Sequence, residues 1–237
     1  MYDLAVVMPV YNEAECIAGV VNAWRSELTA LGVPYQLIVL NDGSKDNTGE
    51  VLAGLGKGDE RLEVVNKPNS GHGPTILMGY HKAVEAAPWV FQCDSDDEMK
   101  AEHFARLWSR RDDYDALFGC RAGRIQNLGR KVISACSRAA VRMFFGKGVT
   151  DVNTPYRLIR SDILRQILRQ IPPDTFAPNV IISGAIARGG CRICNVEVPH
   201  EGRRTGTISI VKWKLWKSAF KSFWQTLRCR PKLGPAE

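Results

Sequence analysis

The sequence predicts an α/β fold: a mostly parallel sheet with helices on both faces. Three observations carry this. Short apolar runs alternate with stretches of helical periodicity, which is the rhythm of β-α-β crossovers. Glycine, proline and Asn/Asp clusters punctuate the junctions. At 237 residues and 45% hydrophobic content, the chain can bury a sizeable core without disulfide staples.

The elements follow in order. Leu4–Val10 is an apolar run preceded by Asp3 and followed by Glu13, a buried first strand rather than a signal peptide. Residues 12 to about 31 read as a helix with Ile17, Val20, Val21 and Trp24 on one face, broken by Gly32 and Pro34. Tyr35–Leu40 is a second strand, and Asn41-Asp42-Gly43-Ser44 is a turn. A helix over 47–55 and a strand at 62–66 come next. Gly71–Gly73 lead into a helix through Ala87, and Trp89–Cys93 is a fourth strand ending at an acidic cluster. A helix from Glu102 and a strand at 116–119 follow. In the second half, a basic helix is expected over about 128–145, strands at 156–159 and 192–198, and helices over 162–170 and 180–188. No repeat or long linker separates the halves. We expect one domain over 1–210, followed by a basic amphipathic segment over 211–237.

Composition closes several routes. With 24% charged residues, disorder, collagen and a disulfide scaffold are excluded. No run approaches the ~18 apolar residues of a membrane span. Seven scattered cysteines suit a reducing, cytoplasmic compartment. Cys191 and Cys194 have no second pair or histidine nearby, so neither a zinc site nor a redox site is expected. The net charge of +7 is local. Residues 201–237 hold nine Lys/Arg and two acids, leaving 23 of each sign in the first 200 (32 less nine, 25 less two). A basic end beside a neutral body points to an anionic partner. An acidic cluster in that body argues against nucleic acid.

In open α/β sheets, ligands bind beyond the carboxyl ends of the strands. The first four strand ends carry Pro9-Val10-Tyr11-Asn12-Glu13, Asn41 to Asp46, Asn69 to Pro74, and Asp94-Ser95-Asp96-Asp97-Glu98. Each alone could be a turn or a cap, but together they form one polar rim. Carboxylates crowded at a strand end repel one another unless a cation relieves them. Mg²⁺ or Mn²⁺ suits oxygen ligands and leaves room for phosphates, so Asp94-x-Asp96 suggests a metal bridging a diphosphate. A solvated acidic turn is the plainer alternative. There is no G-x-G-x-x-G after the first strand and no P-loop. His72, between two glycines, has no assigned role.

These motifs, with Gly119-Cys120-Arg121, the stretch 151–157 and Arg203-x-x-Gly206-x-x-Ser209, resemble family 2 glycosyltransferases of the GT-A fold. The likeness is greatest to the branch of dolichol-phosphate mannose synthases and bacterial polyprenyl-phosphate glycosyltransferases, and it covers roughly residues 3–210. The resemblance implies that Pro9, Tyr11, Glu13 and Asp42 hold the nucleoside of a sugar nucleotide. Asp94 would lie near the ribose or metal, Asp96 would bind the metal, and Glu98 would stand where the branch often has a glutamine ligand. Arg121, Arg130 and Ser134 fall where the branch grips an acceptor phosphate, and Arg203 or Arg204 would fasten the diphosphate. Thr154-Pro155-Tyr156-Arg157 departs from the branch's usual Ser-Gly-Phe-Arg.

Members that glycosylate a sugar hydroxyl usually carry an acidic base in the second half, because a hydroxyl has a high pKa. Here no acid lies between Asp174 and Glu197, and Asn179 stands about where one would be sought. A phosphate acceptor is already an anion near pH 7. It needs cations, and Arg121, Arg130, Lys131 and Arg157 are candidates. The expected function is therefore inverting, metal-dependent transfer of a sugar from a nucleotide-diphosphate sugar to a polyprenyl phosphate, with Asp96, Arg121 and Arg130 as catalytic residues. Transfer to a saccharide hydroxyl and non-catalytic sugar-nucleotide binding are the alternatives. Between Trp213 and Leu227, the residues Trp213, Trp216, Phe220, Phe223, Trp224 and Leu227 fall on one helical face, with Lys214, Lys217 and Lys221 beside it. This segment is expected to lie on an anionic membrane surface at the cytoplasmic face; packing on the protein itself is the alternative.

Overall fold

The structure, a computed structural model, describes residues 1–122, 148–200, 225 and 228–234. Seven strands form one sheet in the order β3-β2-β1-β4-β6-β5-β7. These are β1 (Leu4–Val10), β2 (Tyr35–Asp42), β3 (Leu62–Lys67), β4 (Trp89–Gln92), β5 (Ala116–Ala122), β6 (Arg157–Arg160) and β7 (Ile193–Pro199). β1 pairs in parallel with β2 and β4, β2 with β3, and β5 with β7. Only β6 runs antiparallel, filling the slot between β4 and β5. The expectation of a mostly parallel sheet holds.

β1 is buried along its whole length, because helices cover both faces. Leu4, Val6, Met8 and Val10 face the side of α1 (Ile17–Ala30), and Ala5 and Val7 face α3 (His72–Ala86). On the first side, Trp24 of α1 meets Phe91, Phe104 and Tyr156, with ring centroids 4.7–6.1 Å apart among the four. On the second side, α3 packs beside α5 (Ser161–Leu168) and α6 (Pro178–Arg188). α2 (Thr48–Gly56) follows β2. The small Gly79 lets α3 approach the sheet: a Cβ there would overlap Val7 and crowd Leu40.

Several boundaries differ from those read in the sequence. α1 starts at Ile17, not at residue 12, because Asn12 adopts a left-handed φ of 54°. The helix expected from Glu102 is a 3₁₀ turn (Ala101–His103) followed by one α-turn, α4 (Ala105–Trp108). α6 begins at Pro178, whose fixed φ and missing N–H suit a first helical position. The expected helix over 128–145 lies outside the described residues. Among the described residues, six cysteines are free, Cys191 and Cys194 included, and no helix is long and apolar enough to cross a membrane.

The end of the chain straps the second helical layer. Lys232 N–H donates to Gln170 Oε1 at 3.0 Å, Gly234 N–H to Gln166 Oε1 at 3.1 Å, and Arg188 Nη2 to the Pro231 carbonyl at 3.2 Å. Gln225 Oε1 accepts the Phe176 N–H at 2.9 Å.

The close approach at Gly79 generates a stability prediction. Overpacking a core costs typically ~1–3 kcal/mol, against ~1 kcal/mol of helix propensity that alanine gains. Val7 is β-branched on a central strand and cannot turn aside. Gly79→Ala is expected to lower the urea midpoint. A midpoint equal to or above wild type would contradict the packing account.

Candidate active site

The carboxyl ends of β1 to β4 and β7 converge on one rim. The loop after β1 is laced to the loop after β2. Asn12 donates its N–H to Ser44 Oγ at 3.0 Å and accepts the Lys45 N–H on Oδ1 at 2.7 Å. Glu13 N–H donates to Thr48 Oγ1 at 2.9 Å and Ala14 N–H to Asp46 Oδ2 at 3.2 Å. Burial would raise the Asp46 carboxyl, but the donors from Thr48 and Ala14 outweigh it and hold it below the usual range. Pro9 is buried at the end of β1, Tyr11 is half-buried beyond it, and the buried Glu13 accepts the Cys16 thiol at 3.1 Å.

Asp42 ends β2 and is buried. Its Oδ1 accepts Lys67 Nζ and the Ser70 N–H (2.8 Å), and its Oδ2 accepts the Gly71 N–H (3.0 Å). The carboxylate thus sits at the head of α3, where main-chain N–H groups favour an anion. Lys67 also reaches Ser70 Oγ at 2.7 Å and Thr75 Oγ1 at 3.1 Å. Gly43 has a φ of 66°, and a Cβ on it would lie 2.6 Å from the Asn69 nitrogen. The turn after β2 therefore nests against the loop after β3.

Beyond β4 the chain delivers Asp94, Asp96 and Glu98 to a small cleft of about 30 Å³, shared with Met99, Arg121, Pro155, Tyr156 and His200. Asp96 Oδ1 accepts the Glu98 N–H at 3.2 Å, and Asp97 takes a left-handed φ of 57°. His200 Nε2 lies 2.9 Å from Glu98 Oε2. His72 Nε2 is 3.8 Å from Asp94 Oδ1. Arg121 forks onto Asp151, Nε to Oδ2 at 2.7 Å and Nη2 to Oδ1 at 3.0 Å, leaving Nη1 outside the fork. Burial alone would lower the guanidinium, but the Asp151 hydrogen bonds and the charges of Asp94 and Glu98 raise it. Carboxylates with one imidazole are ligands for a hard divalent cation such as Mg²⁺ or Mn²⁺. Among the described residues, no three such groups close on a single point. An open carboxylate set that substrate phosphates complete is how Mg²⁺ is usually held, so the residues fit the ion.

One expectation is corrected. Arg157, expected to be a cation free for an acceptor phosphate, is fully buried. All five guanidinium donors are used: Nε and Nη2 on the Thr154 carbonyl, Nη2 also on Val152 O, and Nη1 on Asn179 O and Ser183 Oγ. It braces the loop over 152–154 against α6. Asn179 is buried under the rim, bonded to Gln92 and Tyr80. Arg130, Ser134, Arg203 and Arg204 lie outside the described residues, as does nearly all of 213–227.

The roles of three residues escaped the sequence reading. Lys67 lies opposite Asp42 in the β2–β3 register, one position past the strand end that was read. Asp151 is the partner of Arg121. His200 follows the last strand, and extending the strand-end rule to β7 would have found it.

The model of "Glycosyl transferase family 2" matches residues 5–168, more than half of the chain. An undecaprenyl-phosphate 4-deoxy-4-formamido-L-arabinose transferase of Pectobacterium atrosepticum is 29% identical over 208 residues, covering 86% of this chain and 62% of the relative. The enzyme of the same name from Yersinia enterocolitica is 28% identical over 215 residues, covering 90% and 64%. The chain thus spans just under two thirds of the length of these relatives. Among solved structures, glucosyl-3-phosphoglycerate synthase from Mycobacterium tuberculosis, in complex with Mn²⁺, uridine diphosphate and glucosyl-3-phosphoglycerate, superimposes with a TM-score of 0.68 at 17% identity, over 99% of this chain and 82% of that one. Its complex with Mn²⁺, uridine diphosphate and phosphoglyceric acid gives 0.70 at 18% identity, over 99% and 80%. The fold is therefore the GT-A fold, and the chain belongs to glycosyl transferase family 2.

Proposed function

We propose that this protein transfers a sugar, with inversion, from a nucleotide-diphosphate sugar to a polyprenyl phosphate. The observation that carries the reading is the cleft in which Asp94, Asp96, Glu98 and His200 face Arg121. Carboxylates that can hold a cation for a leaving diphosphate and an arginine for an incoming phosphate line the same cleft. The relatives are named for undecaprenyl phosphate, and the structural neighbour is a complex with Mn²⁺ and uridine diphosphate. Mg²⁺ or Mn²⁺, held by Asp94 and Asp96 with substrate phosphates completing the set and with Glu98, engaged by His200, beside them, would take up charge on the departing diphosphate.

The chain's own residues then have distinct tasks. Pro9, Tyr11, Glu13 and Asp42 border the nucleoside end, with Asp42 fixed by Lys67. Arg121, aimed by Asp151, presents its remaining N–H groups to the acceptor phosphate, together with Arg130 and Ser134. Arg203 or Arg204 secures the diphosphate. An acceptor phosphate oxygen attacks the anomeric carbon as the bond to the diphosphate oxygen breaks on the opposite face. No proton needs to be removed, because the acceptor is already ionised near pH 7. The burial of Asn179, where hydroxyl-glycosylating relatives seek a base, agrees with this.

The basic segment over 211–237 is read as a peripheral membrane anchor at the cytoplasmic face, following a catalytic domain over 1–210. Gln225 of this segment is tied to the body at Phe176, a large exposed apolar residue, in the loop whose main chain presses on Gly73 at the head of α3. Lipid contact there would bring the rim to the membrane surface.

Four outcomes test this reading. Purified protein with Mn²⁺, undecaprenyl phosphate and a panel of labelled UDP- and GDP-sugars is expected to yield a lipid-linked sugar. Asp96→Asn is expected to lower the rate at least about 100-fold, as does removal of a charge-stabilising group in other active sites. Full activity in excess chelator would refute the metal assignment. Arg121→Ala is expected to raise the acceptor KM about 10- to 100-fold with donor affinity little changed, since a charge-assisted contact is worth roughly 1.5–3 kcal/mol; an acceptor KM equal to wild type would remove Arg121 from the site. Finally, wild type is expected to sediment with anionic vesicles at low salt and Trp216→Glu/Phe220→Glu to remain in the supernatant. Equal partitioning of the two proteins would refute the lipid role of 213–227.

A further inference from the structure

Behind the acid cluster runs a buried polar relay that the chemistry above does not use. Gln92, the last residue of β4, donates from Nε2 to Asp94 Oδ1 at 3.2 Å. Its Oε1 accepts from Asn179 Nδ2 at 2.9 Å. The Tyr80 hydroxyl of α3 stands 3.1 Å from Asn179 Oδ1 and 3.3 Å from Gln92 Oε1. The Asn179 main-chain carbonyl accepts from Arg157 Nη1 at 3.0 Å. Gln92, Tyr80 and Arg157 are fully buried and Asn179 nearly so. Asp94 alone reaches the cleft, with its side chain 29% exposed.

The relay has a polarity, and Asp94 sets it. An ionised carboxylate only accepts, so it turns Gln92 with Nε2 towards itself. Gln92 Oε1 then points back and needs a donor, which Asn179 Nδ2 supplies. That leaves Asn179 Oδ1 facing the Tyr80 hydroxyl. Burial pushes the Tyr80 hydroxyl well up from its ordinary pKa, so it keeps its proton and donates. Reversing any one amide would set like groups face to face without water to relieve them. The chain of bonds therefore holds one arrangement, and β4, α3 and α6 all carry it.

Asp94 needs such a hold. Asp96 and Glu98 share its cleft, and like charges at that range push a free carboxylate away. We infer that Gln92, backed by Asn179 and Tyr80, is a positioning residue that locks the Asp94 carboxylate, through its bond to Oδ1, in the orientation that receives the divalent cation. The inference rests on the metal reading of the cleft proposed above. Partners one shell behind a metal ligand commonly change affinity about 10- to 100-fold when removed. Asn179→Asp would break the polarity by setting a carboxylate against Gln92 Oε1.

The test is Mn²⁺ binding by full-length protein with UDP, and in parallel with GDP, read from the electron paramagnetic resonance of free Mn²⁺. Thermal melts and acceptor KM are measured alongside. Gln92→Leu and Asn179→Asp are expected to weaken Mn²⁺ binding about 10- to 100-fold while leaving the acceptor KM within about twofold. Tyr80→Phe, which deletes one oxygen, is expected to weaken it a few-fold. Asp96→Asn serves as the control. If Asp96→Asn loses Mn²⁺ but Gln92→Leu binds it like wild type, or merely melts earlier, the positioning role is refuted and the metal reading stands. If Asp96→Asn binds Mn²⁺ like wild type, the metal reading falls and the inference with it. Should Gln92→Leu fail to fold, unchanged Mn²⁺ affinity in Tyr80→Phe overturns the role.

Discussion

Repulsion between carboxylates gathered at one sheet edge is the constraint on which the rest of the molecule turns. Glu13, Asp42, Asp94, Asp96 and Glu98 all stand at or beyond the carboxyl ends of the central strands. Two unit charges 4 Å apart interact by about 4 kcal/mol at an effective dielectric of 20, a large fraction of a domain's stability. The fold answers each carboxylate locally. Asp42 takes Lys67 and two main-chain N–H groups. Glu98 takes His200, and Asp94 takes Gln92. What these neighbours leave of the charge faces the cleft, where a cation and a diphosphate would neutralise each other.

The backbone is irregular where the rim is built. Asn12, two residues past β1, and Asp97, five past β4, take left-handed conformations in the loops that carry polar groups onto the rim. Arg157 shows how the second half is fastened beneath it. A guanidinium buried without a carboxylate partner is tolerable only when every donor is matched; here carbonyls and one hydroxyl do so. That brace sets the loop carrying Asp151, and Asp151 in turn aims Arg121.

Much of this was legible in the residues. β1 is a continuous apolar run and β2 carries one over 37–40, because both of their faces are covered, and the strand-end rule located Asp42, Asp94, Asp96 and Glu98. What the residues hid was tertiary. The reversal of β6 cannot be read from four residues whose pattern fits either direction. Arg157 reads as a surface cation because its burial depends on α6 and on how the carbonyls of Val152 and Thr154 turn back onto it. Lys67 ends β3 and His200 lies one step past β7, and their importance comes from partners 25 and 102 residues away. Asn12 reads as the start of a helix, whereas its bonds to the Ser44–Lys45 loop pull it into a turn.

The central claim is that this carboxylate edge is built around a divalent cation shared with a nucleoside diphosphate. Crystals of the protein grown with Mn²⁺ and a nucleoside diphosphate, with anomalous diffraction collected at the manganese edge, address it most directly. The account predicts one strong anomalous peak within coordination distance of Asp96 and of a diphosphate oxygen, with Asp94 still bonded to Gln92. A diphosphate bound without manganese at that position, or manganese bound away from the Asp94–Glu98 cleft, would contradict it.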